Sequence, residues 1–148
     1  MTSELAPVLE ALYAAFPPRV VLGVITPHEC EECAAIRQSL EGRTWHEISN
    51  AFAEEFSGSL PLLSPEAYNA FLPVWLRAAV EQPDSLAAAM VSINLGNEPS
   101  KFAFTPSQAS ALIAAVEFVA ANNLWGAADE GNVEHLAAVR AQWSGGVA

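Results

Sequence analysis

Hydrophobic residues recur at intervals of three and four along most of the chain, and this spacing is typical of one face of an α-helix. The first such segment follows Ser3, a good N-cap, and stops at the proline pair 17–18. Its apolar face consists of Leu5, Val8, Leu9, Leu12 and Phe16. The pattern therefore predicts a first helix that ends at about Phe16.

The same periodicity, combined with helix start and stop signals, predicts further helices. The second helix covers Glu29 to Leu40, and the third runs from the Thr44–Glu47 capping box to residues 57–59. A fourth runs from Ser64-Pro65 to about Val80, and a fifth from residues 83–85 to Gly96. The last two run from Thr105-Pro106 to about Asn122 and onward from Asn132. The helix after Ser64 is apolar over most of its circumference, so we expect it at the centre of the fold. Pro73 lies inside it, and we expect a kink or break there.

One segment has a different pattern. Residues 19–26 contain the run V-V-L-G-V-I, which predicts either a short strand or a buried extended linker. The best partner for such a strand is K-F-A-F at 101–104. We therefore expect a mainly α-helical fold of six or seven helices, with room for one short strand pair. It forms one compact domain over residues 1–148, with a frayed tail at about 144–148.

The net charge of the chain limits the kinds of molecule that it can bind. The chain has 17 acidic and 6 basic residues, which give a formal net charge of −11. This charge disfavours nucleic acid and anionic membranes, because binding either one requires Lys or Arg to neutralise phosphates. No apolar run reaches about 18 residues, and the N-terminus lacks the pattern of a secretory signal. We therefore expect a cytoplasmic protein with reduced thiols.

No catalytic motif stands out elsewhere. The chain lacks a G-x-S-x-G elbow, a phosphate loop and a G-x-G-x-x-G fingerprint. The leading prediction is a non-catalytic acidic module, without a cofactor, that covers a basic surface of a partner protein. An immunity protein or an inhibitor of a toxin or nuclease is one concrete form. The candidate contact residues are Trp125, Asp129 and Glu130 in one loop, and the Glu54-Glu55 pair.

The stretch H-E-C-E-E-C offers an alternative function, a zinc site. Cys30 and Cys33 have the spacing of two zinc ligands, and His28 and His46 could complete a set of four. A single Cys-x-x-C pair is a weak signal for zinc, because structural sites usually present a second pair.

The same cysteines also resemble a thiol-redox site, because Cys-x-x-C follows an apolar run at the start of a predicted helix. Glu29, Glu31 and Glu32 oppose this interpretation, because negative charge disfavours a thiolate. A third interpretation, which the pattern favours, is packing. Cys33 shares the helical stripe of Ile36 and Leu40, Cys30 continues the stripe one turn earlier, and His28 caps the helix.

Residues 59 to about 121 resemble a bacterial family described as a domain of unknown function. The resemblance lies in a leucine-rich turn, a Pro-Glu pair, a Leu-Pro helix and a downstream F-T-P-x-Q helix start. These are Leu62, Leu63, Pro65, Glu66, Tyr68, Phe71, Leu72, Pro73, Phe104, Thr105, Pro106 and Gln108, together with Trp45 and Glu47. The chain departs from the pattern at Asn69-Ala70 and at Trp75. The resemblance implies a mainly helical bacterial protein and no particular activity, and it does not extend to the cysteine pair.

Overall fold

Six α-helices account for most of residues 5–89 and 104–122, which are the residues that the computed structural model describes. They are α1 (Leu5–Ala15), α2 (Glu31–Leu40), α3 (Asn50–Glu55), α4 (Pro65–Glu81), α5 (Leu86–Ala89) and α6 (Pro106–Asn122). Two 3₁₀ helices, Trp45–Glu47 and Leu60–Leu62, connect them. The described ranges contain no β-strand, so the predicted mainly helical fold is confirmed. The predicted helix after Asn132 and residues 101–103 of K-F-A-F lie outside the described residues.

Helix α4 occupies the centre of the core, as its apolar pattern predicts. Thirteen of its 17 residues are buried, and it contacts α1, α3, α5 and α6. Ser64 is its N-cap, and the Ser64 Oγ accepts a hydrogen bond from the amide of Ala67 at 3.2 Å. Of the kink or break expected at Pro73, the break does not occur, because the helix is continuous from Pro65 to Glu81. Packing on all sides of the helix outweighs the backbone hydrogen bond that Pro73 cannot form.

The predicted helix over residues 44–56 is divided into two shorter elements. The capping box is present, since the Thr44 amide donates to Glu47 Oε1 at 2.8 Å, but the 3₁₀ helix that it starts ends at Glu47. Ile48 is extended, and Ser49 then caps α3. The buried guanidinium of Arg77 donates a hydrogen bond to the carbonyl of Ile48. This contact from α4 takes the place of the helical hydrogen bond that a continuous helix would supply.

Residues 19–26 form an irregular linker and not a strand. The second predicted alternative, a buried extended linker, is correct only in part, because most of the segment is exposed and its backbone bends at Gly23 and Ile25. Val21 and Ile25 are buried, whereas Leu22 is 93% exposed. The linker is attached to the start of α4, because the Ser64 amide donates to the Ile25 carbonyl at 2.8 Å and the Ser64 hydroxyl donates to the Val24 carbonyl at 2.6 Å. This attachment fixes where the chain turns into α2.

Helices α1 and α6 pack against each other and against α4. Helix α6 begins as predicted, with reciprocal hydrogen bonds between Thr105 and Gln108 at its N-terminus. The Gln108 amide donates to Thr105 Oγ1 at 3.1 Å, and the Thr105 amide donates to Gln108 Oε1 at 3.2 Å. None of the helices in the described ranges combines the length and apolarity needed to cross a membrane.

Candidate functional site

Cys30 is the N-cap of α2. Its backbone is extended, with φ −142° and ψ 168°, and its carbonyl accepts the first helical hydrogen bond, from the amide of Ala34 at 2.9 Å. The Cys30 Sγ accepts a further hydrogen bond from the amide of Cys33 at 3.1 Å. The sequence-based prediction that His28 caps a helix starting at Glu29 is therefore wrong, because the sulfur of Cys30 fills that role.

The two thiols of the pair are in contact but differ in exposure. Their Sγ atoms lie 2.7 Å apart, compared with about 2.05 Å in a disulfide bond. Cys33 is fully buried, as predicted, whereas Cys30 is exposed. The prediction that Cys30 continues the buried stripe is wrong. An N-cap residue has non-helical backbone angles, so its side chain turns back over the first turn.

Arg37 holds the loop that precedes the cysteines. Its guanidinium donates to Thr26 Oγ1 at 2.7 Å, to the His28 carbonyl at 3.0 Å and to Glu29 Oε2 at 3.5 Å. Arg37 lies one helical turn after Cys33. Helix α2 therefore carries both the Cys33 thiol and the guanidinium that holds the segment before Cys30 in place. Sequence reasoning missed this role. The sequence did contain a signal for it, because Arg37 is the one basic residue in the predicted helix from Glu29 to Leu40.

Two of the three glutamates around the thiols have partners. Glu29 forms an ion pair with Arg37, and Glu32 accepts a hydrogen bond from the buried hydroxyl of Ser59. Glu31 is exposed. Only Glu29 has a cationic partner, so the objection that negative charge disfavours a thiolate still applies to Glu31 and Glu32.

The environment keeps Cys33 protonated. The pKa of Cys33 is raised above the ordinary 9.0. The largest cause is the hydrogen bond with Cys30, and burial and the charges of Cys30 and Glu32 add to it. The Arg37 guanidinium acts in the opposite direction but does not cancel these effects. The site thus pairs an exposed sulfur at a helix N-terminus with a buried neutral thiol.

The four predicted zinc ligands are not brought together. His46 is exposed, and its ring packs edge-on against the rings of Trp45, at 4.4 Å between centroids, and Tyr13, at 4.9 Å. His28 contributes its carbonyl to Arg37. Across residues 5–89 and 104–122, no group of three or more His, Cys, Asp or Glu side chains is arranged to hold a metal ion.

Of the predicted partner-binding residues, Glu54 makes an intramolecular contact. Its carboxylate accepts hydrogen bonds from the amides of Leu86 at 2.8 Å and Ala87 at 3.1 Å, and so caps the N-terminus of α5. Glu55 is exposed at the end of α3. Trp125, Asp129 and Glu130 lie outside the described residues.

A small cavity of about 160 Å³ lies where α4 and α6 meet the loop after α1. Its polar lining residues already bond to one another. Arg19 donates to Asn69 Oδ1 at 3.5 Å, and the Asn69 amide donates to Gln108 Oε1 at 3.2 Å. Asn69 and Ala70, where the chain departs from the family pattern, both line it. The cavity contains no nucleophile or metal-binding cluster, so it supports no chemistry by itself.

The chain matches no family model, and searches of curated proteins and of solved structures also give no match. The resemblance to the bacterial family stays a prediction. The Cys30–Cys33 pair and the net charge of the chain are the two features that bear on function.

Proposed function

We propose that this protein is a thiol–disulfide redox protein in which Cys30 attacks and Cys33 resolves. The observation that carries the proposal is the 2.7 Å contact between an exposed and a buried thiol at a helix N-terminus. Thiol–disulfide exchange requires an accessible first sulfur and a second thiol close enough to displace the intermediate. The pair meets both requirements.

The proposed reaction balances without a cofactor. The Cys30 thiolate attacks one sulfur of a substrate disulfide, the disulfide bond breaks, and the departing thiolate takes a proton from water. Cys33 then loses its proton and attacks Cys30 Sγ in the mixed disulfide. The second substrate thiol leaves, and the Cys30–Cys33 disulfide forms. Two electrons pass from the protein dithiol to the substrate, and an external thiol reductant, itself oxidised to a disulfide, then regenerates the Cys30–Cys33 dithiol.

The helix contributes to the first step. The Cys33 amide points at Cys30 Sγ from 3.1 Å, and a helix N-terminus favours a negative group by about 0.3–1 kcal/mol at an exposed position. The raised pKa of Cys33 keeps that thiol neutral until the mixed disulfide forms. The scaffold differs from thioredoxin-like proteins, because the described residues form helices without a sheet.

The test is redox titration of the pair. Reduced protein is equilibrated with mixtures of oxidised and reduced glutathione, and free thiols are counted by alkylation and mass spectrometry. We expect reversible loss of both thiols together. A neutral disulfide should trap a stable mixed disulfide on Cys30 in a Cys33→Ser variant, while a Cys30→Ser variant should form little adduct. A pair that stays reduced in the most oxidising mixture, or equal trapping in the two variants, would contradict the proposal.

A second candidate function is the acidic binding module. The chain carries a net charge of −11, and the guanidinium groups of Arg19, Arg37 and Arg77 are engaged in intramolecular hydrogen bonds. Surplus carboxylates steer association with a basic surface, such as that of a toxin or nuclease, and this steering weakens with salt. A bacterial cytoplasmic location fits both candidates, because the cytosol keeps thiols reduced.

The binding module is tested independently of the cysteines. The protein is immobilised, and a bacterial lysate is passed over it at low and high salt, with the Cys30→Ser variant as a parallel bait. We expect basic partners to be retained at low salt and released at high salt by both baits. Retention that is indifferent to salt would count against electrostatic steering.

A further inference from the structure

We infer that the Cys30–Cys33 pair reacts preferentially with cationic disulfides and discriminates against anionic ones. The inference rests on the proposed redox function and specifies its substrate class. It concerns the charges immediately around the exposed sulfur, which any substrate must approach.

Two exposed carboxylates adjoin the attacking residue. Glu29 and Glu31 are the chain neighbours of Cys30, so their Cα atoms lie about 3.8 Å from its Cα atom. The Glu29 side chain is 89% exposed, and Glu31 is exposed. Glu32 lies in the first turn of α2, where it accepts a hydrogen bond from Ser59, a neutral partner that leaves the carboxylate charge in place.

The one guanidinium in the cluster does not offset these charges at the sulfur. Arg37 is directed toward Thr26 Oγ1, the His28 carbonyl and Glu29. Its ion pair with Glu29, at 3.5 Å, leaves Glu31 and Glu32 without a cationic partner among the described ion pairs. The local charge near Cys30 is therefore negative, in the same sense as the −11 of the whole chain.

Attack brings a substrate sulfur into contact with Cys30 Sγ. Charged groups near the substrate disulfide then come within about 8 Å of these carboxylates, which is the screening length at physiological ionic strength. A cationic disulfide, such as one flanked by Lys or Arg in a basic polypeptide, is attracted. A disulfide flanked by carboxylates, such as glutathione disulfide, is repelled.

The experiment compares three small disulfides at one pH. Reduced protein reacts with cystamine (cationic), bis(2-hydroxyethyl) disulfide (neutral) and dithiodipropionate (anionic), and each rate is divided by that of the same disulfide with dithiothreitol. This division removes the intrinsic reactivity of the disulfide. We expect the cationic probe to exceed the anionic probe by about tenfold at low salt, a ratio that approaches one in 1 M salt.

Matched variants locate the effect at the site. Glu31→Gln and Glu31→Lys should lower the cationic-to-anionic ratio stepwise, whereas Glu10→Gln and Glu10→Lys, which change the net charge equally from α1, should leave most of it in place. A ratio near one at low salt, or equal effects of the Glu31 and Glu10 variants, would overturn the inference while the neutral probe still reports redox activity. Failure of the neutral probe to oxidise the pair would overturn the redox function, and this inference with it.

Discussion

The amide of Cys33 donates a hydrogen bond to the Sγ of Cys30, and the Sγ of Cys33 lies 2.7 Å from the same atom. One sulfur therefore caps α2 and contacts the second thiol. The arrangement exposes Cys30 while Cys33 stays in the core. Position 30 therefore needs a side chain that can cap a helix, whereas position 33 needs a side chain that can be buried.

Serine should be tolerated at position 30 and harmful at position 33. Serine is among the best N-cap residues, so Cys30→Ser should change the free energy of unfolding by less than about 0.5 kcal/mol. Cys33→Ser places a hydroxyl in a fully buried site and should lower it by about 1–3 kcal/mol. Urea denaturation of the reduced proteins measures both values. Equal losses would contradict the assignment of Cys30 as an exposed cap.

Stability should fall as the pH rises above about 9. Because the pKa of Cys33 is raised above 9.0 in the folded protein, the unfolded chain releases this proton first. Deprotonation then favours unfolding, by up to about 1.4 kcal/mol per pH unit until the folded pKa is reached. The slope is measured by urea denaturation between about pH 7.5 and about pH 9.8, a range that ends below the ordinary tyrosine pKa of about 10. A Cys33→Ala variant should lack this part of the slope, and an unchanged slope would refute the prediction.

Glu54 and Glu55 should differ although they are neighbours. Glu54→Ala removes the acceptor for two amides at the start of α5 and should destabilise the protein by about 0.5–2 kcal/mol. Glu55→Ala, at an exposed position, should stay within about 0.5 kcal/mol. Thermal and urea denaturation of the two variants provide the comparison. If Glu55→Ala instead weakens capture of a partner, the second candidate function gains support.

Ser64 should contribute more to stability than an ordinary N-cap. Its hydroxyl caps α4 and also donates to the Val24 carbonyl at 2.6 Å. Ser64→Ala should therefore lower the free energy of unfolding by about 1–2 kcal/mol. Hydrogen exchange at the Ala67 amide should become faster. Ser107→Ala, at an exposed position in α6, is the control and should change neither quantity appreciably.

The starts of α4 and α6 were predicted correctly from the sequence. The caps at Ser64 and Thr105 lie where the sequence places them, and Pro65 and Pro106 are the first residues of α4 and α6. These signals are local, because a cap and the amide that it accepts from are only two or three residues apart. Of the candidate site, the burial of Cys33 was predicted correctly, because it follows from the helical stripe shared with Ile36 and Leu40.

The sequence alone determined which segments become helical, since periodicity, capping residues and prolines act over about one turn. Tertiary structure decided where those segments are interrupted, exposed or joined. Arg77 reaches the Ile48 carbonyl across 29 residues, Ser64 reaches the Val24 carbonyl across 40, and Glu54 reaches the Leu86 amide across 32. The continuity of α4 at Pro73 likewise depends on the helices packed around it. Such contacts depend on chain segments that meet only after folding, so no local pattern encodes them. For the same reason, the Arg37 contacts with Thr26 and His28 beside the two thiols became visible only in the fold.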